Sequence, residues 1–173
     1  TVTVTDYNGC QITRSVTVGQ PTAALGGTAS KTDVSCNGGS NGTATILATG
    51  GTTPYSYSWA PSGGSNATAA GLASGTYTVT VTDYNGCQIT RSVTVGQPAT
   101  AVTMSYGGST SISKNATFSY TFTATGGTPS YIYSTTGTRP TGLNLSVGGV
   151  LSGTPTATGT FNSNVTATDA NSC

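Results

Sequence analysis

Residues 78–98, TVTVTDYNGCQITRSVTVGQP, reproduce residues 1–21 without a change, at an offset of 77. No single folded domain needs the same strand pair twice. The duplication therefore makes the chain a window on a tandem array, and a repeat of this kind decides the architecture before any other argument. Within the copy, Tyr77, Val79 and Val81 alternate with Thr78, Thr80 and Thr82, while Ile89, Val93 and Val95 alternate with Thr90, Ser92 and Thr94. A period of two belongs to half-buried β-strands. Partners across a hairpin share a face, so Val81 cannot lie opposite Thr90, as a two-residue Asn85-Gly86 turn would require. A three-residue loop, Tyr84-Asn85-Gly86, sets Val81 opposite Ile89 and puts Gly86 at the left-handed third position such loops favour. It also predicts a Cys87 that faces the core opposite Asp83. Arg91 then falls on the inward parity opposite Val79. It reads as a charge that guards a sheet edge against further pairing while its stem packs. A ligand-binding arginine is the alternative.

Charged residues make up 5% of the 173 residues, with no His, and the acids are Asp6, Asp33, Asp83 and Asp169. Chains so polar and weakly charged can be disordered, but disorder goes with few aromatic and β-branched residues. Nine Tyr, three Phe, one Trp and many alternating Val and Ile argue for folded β-structure instead. The net charge of +1 comes from scattered residues, so no basic face is expected for nucleic acid or anionic lipid. No apolar run approaches the ~20 residues of a membrane-spanning helix, and direct membrane insertion is not expected. Thr1 begins in mid-repeat with neither an initiator Met nor a signal peptide, which reads as a fragment, so export has to be inferred from composition.

Three units are expected. Residues 1–21 are the last strand pair of a preceding repeat, 22–98 a complete repeat, and 99–173 a divergent domain that lacks its last strand. In the complete repeat, 28–36 predicts a first strand. Residues 43–49 predict a second, with Ala44, Ile46 and Ala48 inward, and YSYSWAP a third, with Tyr55, Tyr57 and Trp59 on one face. SNATAAGLASG then reads as a connection to the final hairpin. An aromatic on the third strand packed between two sheets is a feature of immunoglobulin-like sandwiches, so the predicted fold is all-β, tandem Ig-like β-sandwiches in a linear array. The sharper reading of the same three rings is a carbohydrate-stacking platform. In 99–173, GGTPSYIYS aligns with GGTTPYSYS and VTATDANSC with VTVTDYNGC. At an offset of 76, Trp59 becomes Thr135 while Ala44 and Ile46 become Tyr120 and Phe122, an exchange that conserves core volume. Without its last strand this unit is expected not to fold alone; the residues that follow, or a strand from another copy, would complete it.

Catalytic arrangements are not in evidence. Without His or Glu, acid–base pairs and Ser-His-Asp triads are unavailable, and a two-carboxylate glycosidase would need both acids flanking one bond, where the repeat holds only Asp33 and Asp83. Zinc ligands at a usable spacing are missing. TDYNG and TDANS offer one carboxylate each, where Ca²⁺ takes six to eight oxygens. No cofactor or metal is expected, and the chain reads as a non-enzyme.

DVSCNGGSNGTATILATGG, PYSYSW, GLASGTYTVTVTDYNGC and the closing VTVGQP together resemble the SprB-type repeat of cell-surface gliding adhesins of Bacteroidota, over residues 32–98. Residues 126–169, with GGTPSYIYS, RPTGLNLSVGGVLSGTPTATGTF and VTATD, resemble an Ig-like domain of bacterial surface proteins. The resemblance implies secreted Ig-like modules strung into fibres, exported by a type IX route, extracellular and held at the cell surface, with a role in gliding. The expected function is that of a non-catalytic segment of an adhesin or surface filament stalk. The alternatives are a spacer or carbohydrate-binding module of a large secreted enzyme, and a strand-exchanged polymeric appendage. Neighbouring repeats of the same chain are the expected partners, with other copies in a filament as a further option. No residue pattern names the surface or glycan the array would grip.

Four cysteines allow three complete pairings, and export favours oxidation. Cys36–Cys87 within the repeat is the expected bond, with Cys10 and Cys173 left over. A competing geometry starts from the ends of an Ig-like sandwich: the loop after the first strand and the last hairpin turn lie at opposite ends, so Cys36 would meet the next domain's hairpin and bond to Cys173.

Overall fold

The alternation of Thr with Val, Tyr and Ile yields strands throughout. In chain order they are β1 (Val2–Thr5), β2 (Gln11–Arg14), β3 (Gly26–Thr32), β4 (Gly42–Thr49), β5 (Ser56–Ala60), β6 (Thr68–Leu72), β7 (Gly75–Thr82) and β8 (Gln88–Val95). There follow β9 (Thr103–Ser105), β10 (Phe118–Thr121), β11 (Thr123–Thr125), β12 (Ile132–Gly137), β13 (Leu143–Leu145), β14 (Val150–Gly153) and β15 (Ser163–Thr168). The computed structural model describes residues 1–108 and 111–173, and no helix occurs among them.

Between Gly26 and Val95 two three-stranded sheets form, β3-β4-β6 and β5-β7-β8. The β7–β8 register sets Val81 opposite Ile89 and Val79 opposite Arg91, as the three-residue loop requires, with Gly86 at φ 82°. Facing residues of the two sheets fill one core. Val79, Val81 and Val95 are fully buried, and Ala44, Ile46 and Trp59 meet them from the other strands. Burying side chains of this size stabilises by about 1.5–3 kcal/mol each. Arg91 lies on the edge strand β8, exposed, and its Nε donates to the Gly27 carbonyl at 3.0 Å. Since Gly27 belongs to β3, the guanidinium bridges the two sheets along their open side.

Residues 65–75 are more than the connection expected of them. They contain β6, which pairs with β4. Its inward residues, Ala69 and Leu72, are three apart because a bulge at Gly42/Thr43 and a left-handed Gly71 (φ 69°) shift the register. A bulge breaks the period of two that would have announced the strand.

Beyond Pro98 the pairs are β9 with β11 and β12 with β15, and a third sheet runs β10-β14-β13. Thr135 lies opposite Val165 and Tyr133 opposite Ala167, as Trp59 lies opposite Val79 and Tyr57 opposite Val81. Tyr120 and Phe122 do bring their rings inward, 5.1 Å apart, with Tyr106 beside both. At Thr135, the buried hydroxyl has no hydrogen-bond partner among the described residues. β15 is paired on one side, by β12, whereas its counterpart β7 runs between β5 and β8.

Candidate functional site: a covalent junction

Residues 78–98 end in two kinds of structure that matter for an array: a turn at the tip of the hairpin and a linker, Gln97-Pro98, that leaves the sandwich. The turn is organised by Asp83, 4% exposed. One carboxylate oxygen accepts from the backbone N–H of Asn85 (3.0 Å) and of Cys87 (2.8 Å), and the other from the N–H of Thr52 (2.9 Å). An Asp side chain capping the amides that follow it is an Asx-type turn. The added bond to Thr52 pins the hairpin to the loop before β5. That amide, followed by those of Cys87 and Asn85, holds the carboxyl below its ordinary range against the upward push of burial.

The same device closes 99–173. Asp169, also 4% exposed, accepts from Thr128 (2.7 Å), Asn171 (2.9 Å) and Cys173 (2.9 Å). Its pKa is lowered by those amides, Thr128 foremost. Ser172 takes the left-handed position of Gly86, at φ 65°. In residues 1–21 the local half of the turn recurs, Asp6 accepting from Asn8 and Cys10. No feature of the composition pointed to these aspartates. The signal was the shared T-D-x-N-x-C pattern, which forms an Asx turn in all three copies. Among the described residues no group of three or more His, Cys, Asp or Glu is placed to hold a metal ion.

The turn of 99–173 lands on the loop after β3. Cys36 and Cys173 form a disulfide, with their Cα atoms 5.6 Å apart. Asn171 Nδ2 donates to the Ser35 carbonyl (3.1 Å) as well as to Thr128 Oγ1 (2.9 Å). The linker is held to the same loop: Asn37 Nδ2 donates to the Pro98 carbonyl and the Gly38 N–H to Gln97 Oε1, both at 2.8 Å. Linker and disulfide therefore cross one junction side by side.

This pairing corrects the expected Cys36–Cys87 bond. Cys87 is exposed and carries no disulfide, and so is Cys10. Cys87 sits at the end where the chain enters, near Ala23, which accepts from the Gly51 N–H. Cys36 sits at the end where Pro98 leaves. The expectation that Cys87 faces the core is also overturned. The Asp83 N–H bonds the Cys87 carbonyl across the loop, while the strand register begins only at Gln88, opposite Thr82. Cys87 thus belongs to the loop, where strand parity no longer sets its direction.

Tyr55, Tyr57 and Trp59 do not form an open platform. Trp59 is 6% exposed and donates Nε1–H to the Asn66 carbonyl at 2.9 Å. Tyr55 and Tyr57 pack half-buried against the core, and the Tyr55 hydroxyl donates to the Gly50 carbonyl. Tyr131 repeats that bond to Gly126. A stacking surface needs ring faces open to solvent, and the largest of the three rings, Trp59, is buried in the core.

The paired sheets and capped junctions define a class: all-β, Ig-like sandwich modules in series. Residues 28–64 match the family model of the SprB repeat, and residues 97–173 match the family described as "Putative Ig domain". None of the curated proteins matches the chain. Both families are structural repeat and Ig-like modules rather than enzyme families, and together they point to a repeat region of the surface-adhesin type.

Proposed function

We propose that the chain is a structural repeat segment of an extracellular adhesin or surface filament stalk, without catalysis of its own. Its units are taken as 1–21, 22–98 and 99–173. The observation that carries this reading is the junction: two successive modules are joined by a disulfide in addition to the peptide chain. A second covalent connection is of use where neighbouring modules must stay docked outside the reducing interior of a cell. The SprB match supports a place at the cell surface. Neighbouring repeats are the partners, with other copies of the chain in a fibre. Immunogold labelling with an antibody raised against residues 22–98 tests it. Label along cell-surface fibres is the expected result, and label confined to secreted enzyme complexes would overturn it.

A further inference from the structure

We propose that Cys36–Cys173 is one rung of a ladder: in the tandem array the hairpin cysteine of each repeat, Cys87 here, bonds the loop cysteine of the repeat before it. Cys10, in identical sequence, occupies the same position one period earlier. The rung that is present shows what the hairpin turn does when a loop lies against it, and the turn at Cys87 is built in the same way. The bonds from Asp83 to Thr52, Asn85 and Cys87 match those from Asp169 to Thr128, Asn171 and Cys173 one for one. Tyr84 N–H to the Thr52 carbonyl (2.8 Å) matches Ala170 N–H to the Thr128 carbonyl (3.0 Å).

Asn171 spends one N–H inside its own module and one on Ser35 of the module before it. Asn85 makes the internal bond, to Thr52 Oγ1 at 3.0 Å, and its second N–H is placed for the corresponding carbonyl. Beside Cys87 lies a depression of about 450 Å³ lined by Gln20, Pro21, Ala23, Leu25 and Ile89, among others. At the other junction Gln97 and Pro98 hold Gly38 and Asn37, and Gln20-Pro21 is the same dipeptide one period earlier. The occupant that fits is therefore the 35–38 loop of a preceding repeat.

One repeat brings a cysteine to each of its two ends, so it cannot close the bond on itself but can close it head to tail. Residues 99–173 have a hairpin cysteine and no second one, so they accept a rung and offer none onward. Forming a rung removes two protons and two electrons from two thiols. A disulfide-bearing oxidant takes them up and leaves as two thiols, through a mixed disulfide.

The test is a chain in which residues 22–98 occur twice in tandem, refolded with oxidised and reduced glutathione, digested without reduction and mapped. The expected products are a Cys36–Cys87 peptide and a Cys36–Cys173 peptide, with Cys10 and the first copy's Cys87 as the alkylated thiols. Replacing Cys36 of the first copy alone, Cys36→Ser, should abolish the Cys36–Cys87 peptide and spare Cys36–Cys173. Persistence of Cys36–Cys87 in that variant would place the bond inside one repeat and overturn the ladder. So would an alkylated first-copy Cys36 in the parent duplication. Both outcomes are independent of what the array adheres to.

Discussion

Replacing Cys36 by Ser in the chain as it stands should uncouple the unfolding of its two sandwiches. Asn37, next to Cys36, donates to the Pro98 carbonyl; the Gly127 N–H donates to the Thr100 carbonyl, and the N–H groups of Thr128 and Cys173 both donate to Asp169, which brings Cys173 close to where residues 99–173 begin. When only 99–173 unfold, the bond closes a loop of about 75 residues; when only the preceding repeat unfolds, it closes one of about 63. In the chain-entropy relation each is worth about 4 kcal/mol. When both unfold, one loop spans the sequence separation of 137, and the bond contributes only about 5 kcal/mol in total. Each module therefore holds its 4 kcal/mol only while its neighbour stays folded, a coupling of nearly that size. Trp59 is the sole tryptophan, so its fluorescence reports on 22–98 alone, while calorimetry sees both. In the oxidised chain the two signals should melt together. In Cys36→Ser they should separate, and the fluorescence midpoint should fall by about 10–20 °C, because about 5 kcal/mol is lost from one cooperative unit of about 150 residues at about 2–4 °C per kcal/mol. A fall of less than about 2 °C, with the signals unchanged in relation to one another, would refute the coupling, because that shift corresponds to at most about 1 kcal/mol.

Asp83→Asn keeps one acceptor for Asn85 and Cys87 but turns an amide N–H₂ toward the Thr52 N–H, so the thermal midpoint should drop. Because the folded carboxyl lies below its ordinary range, its stabilisation is present above the unfolded value near 3.9 and is lost as pH falls through the folded one. Acid titration of the Asn variant should accordingly be flatter than that of the parent as the pH falls below the unfolded value of about 3.9. Gly42→Ala adds a carbon 2.6 Å from Val95 Cγ1 and 2.9 Å from the Leu72 carbonyl. Denaturant titration should show a loss of about 1–3 kcal/mol, as overpacking costs. Trp59→Ala should cost about 3–5 kcal/mol, followed by circular dichroism since the fluorophore is removed. A result under 1 kcal/mol would mean the ring is not the centre of this core.

Much of the fold was legible because strand parity is strict wherever one face is buried. The β7–β8 register followed from matching Val81 to Ile89. Where the chain leaves that regime, reading by alternation failed. β6 hid behind the Gly71 bulge and its small side chains. Cys87 was assigned a face although it lies inside the Asp83 turn, one residue before pairing resumes at Gln88. The aromatic face of β5 was visible as a pattern, but periodicity does not say whether rings on one face meet a core or a sugar; the burial of Trp59 does. The junction was harder still. Its bond joins residues 137 apart in sequence, and its pairing depends on which end of a sandwich each cysteine occupies. That is a property of topology rather than of spacing.

A single peptide linker leaves a module free to rotate about its own long axis, since two of the backbone torsions at each residue turn easily. The Cys36–Cys173 bond adds a second attachment beside the Gln97-Pro98 linker. Two attachments side by side define an axis, and rotation is then confined to bending about it. A fibre jointed in this way would transmit twist as well as pull. Turning one end would turn the other, and the stiffness of the whole in torsion would depend on the redox state of its surroundings.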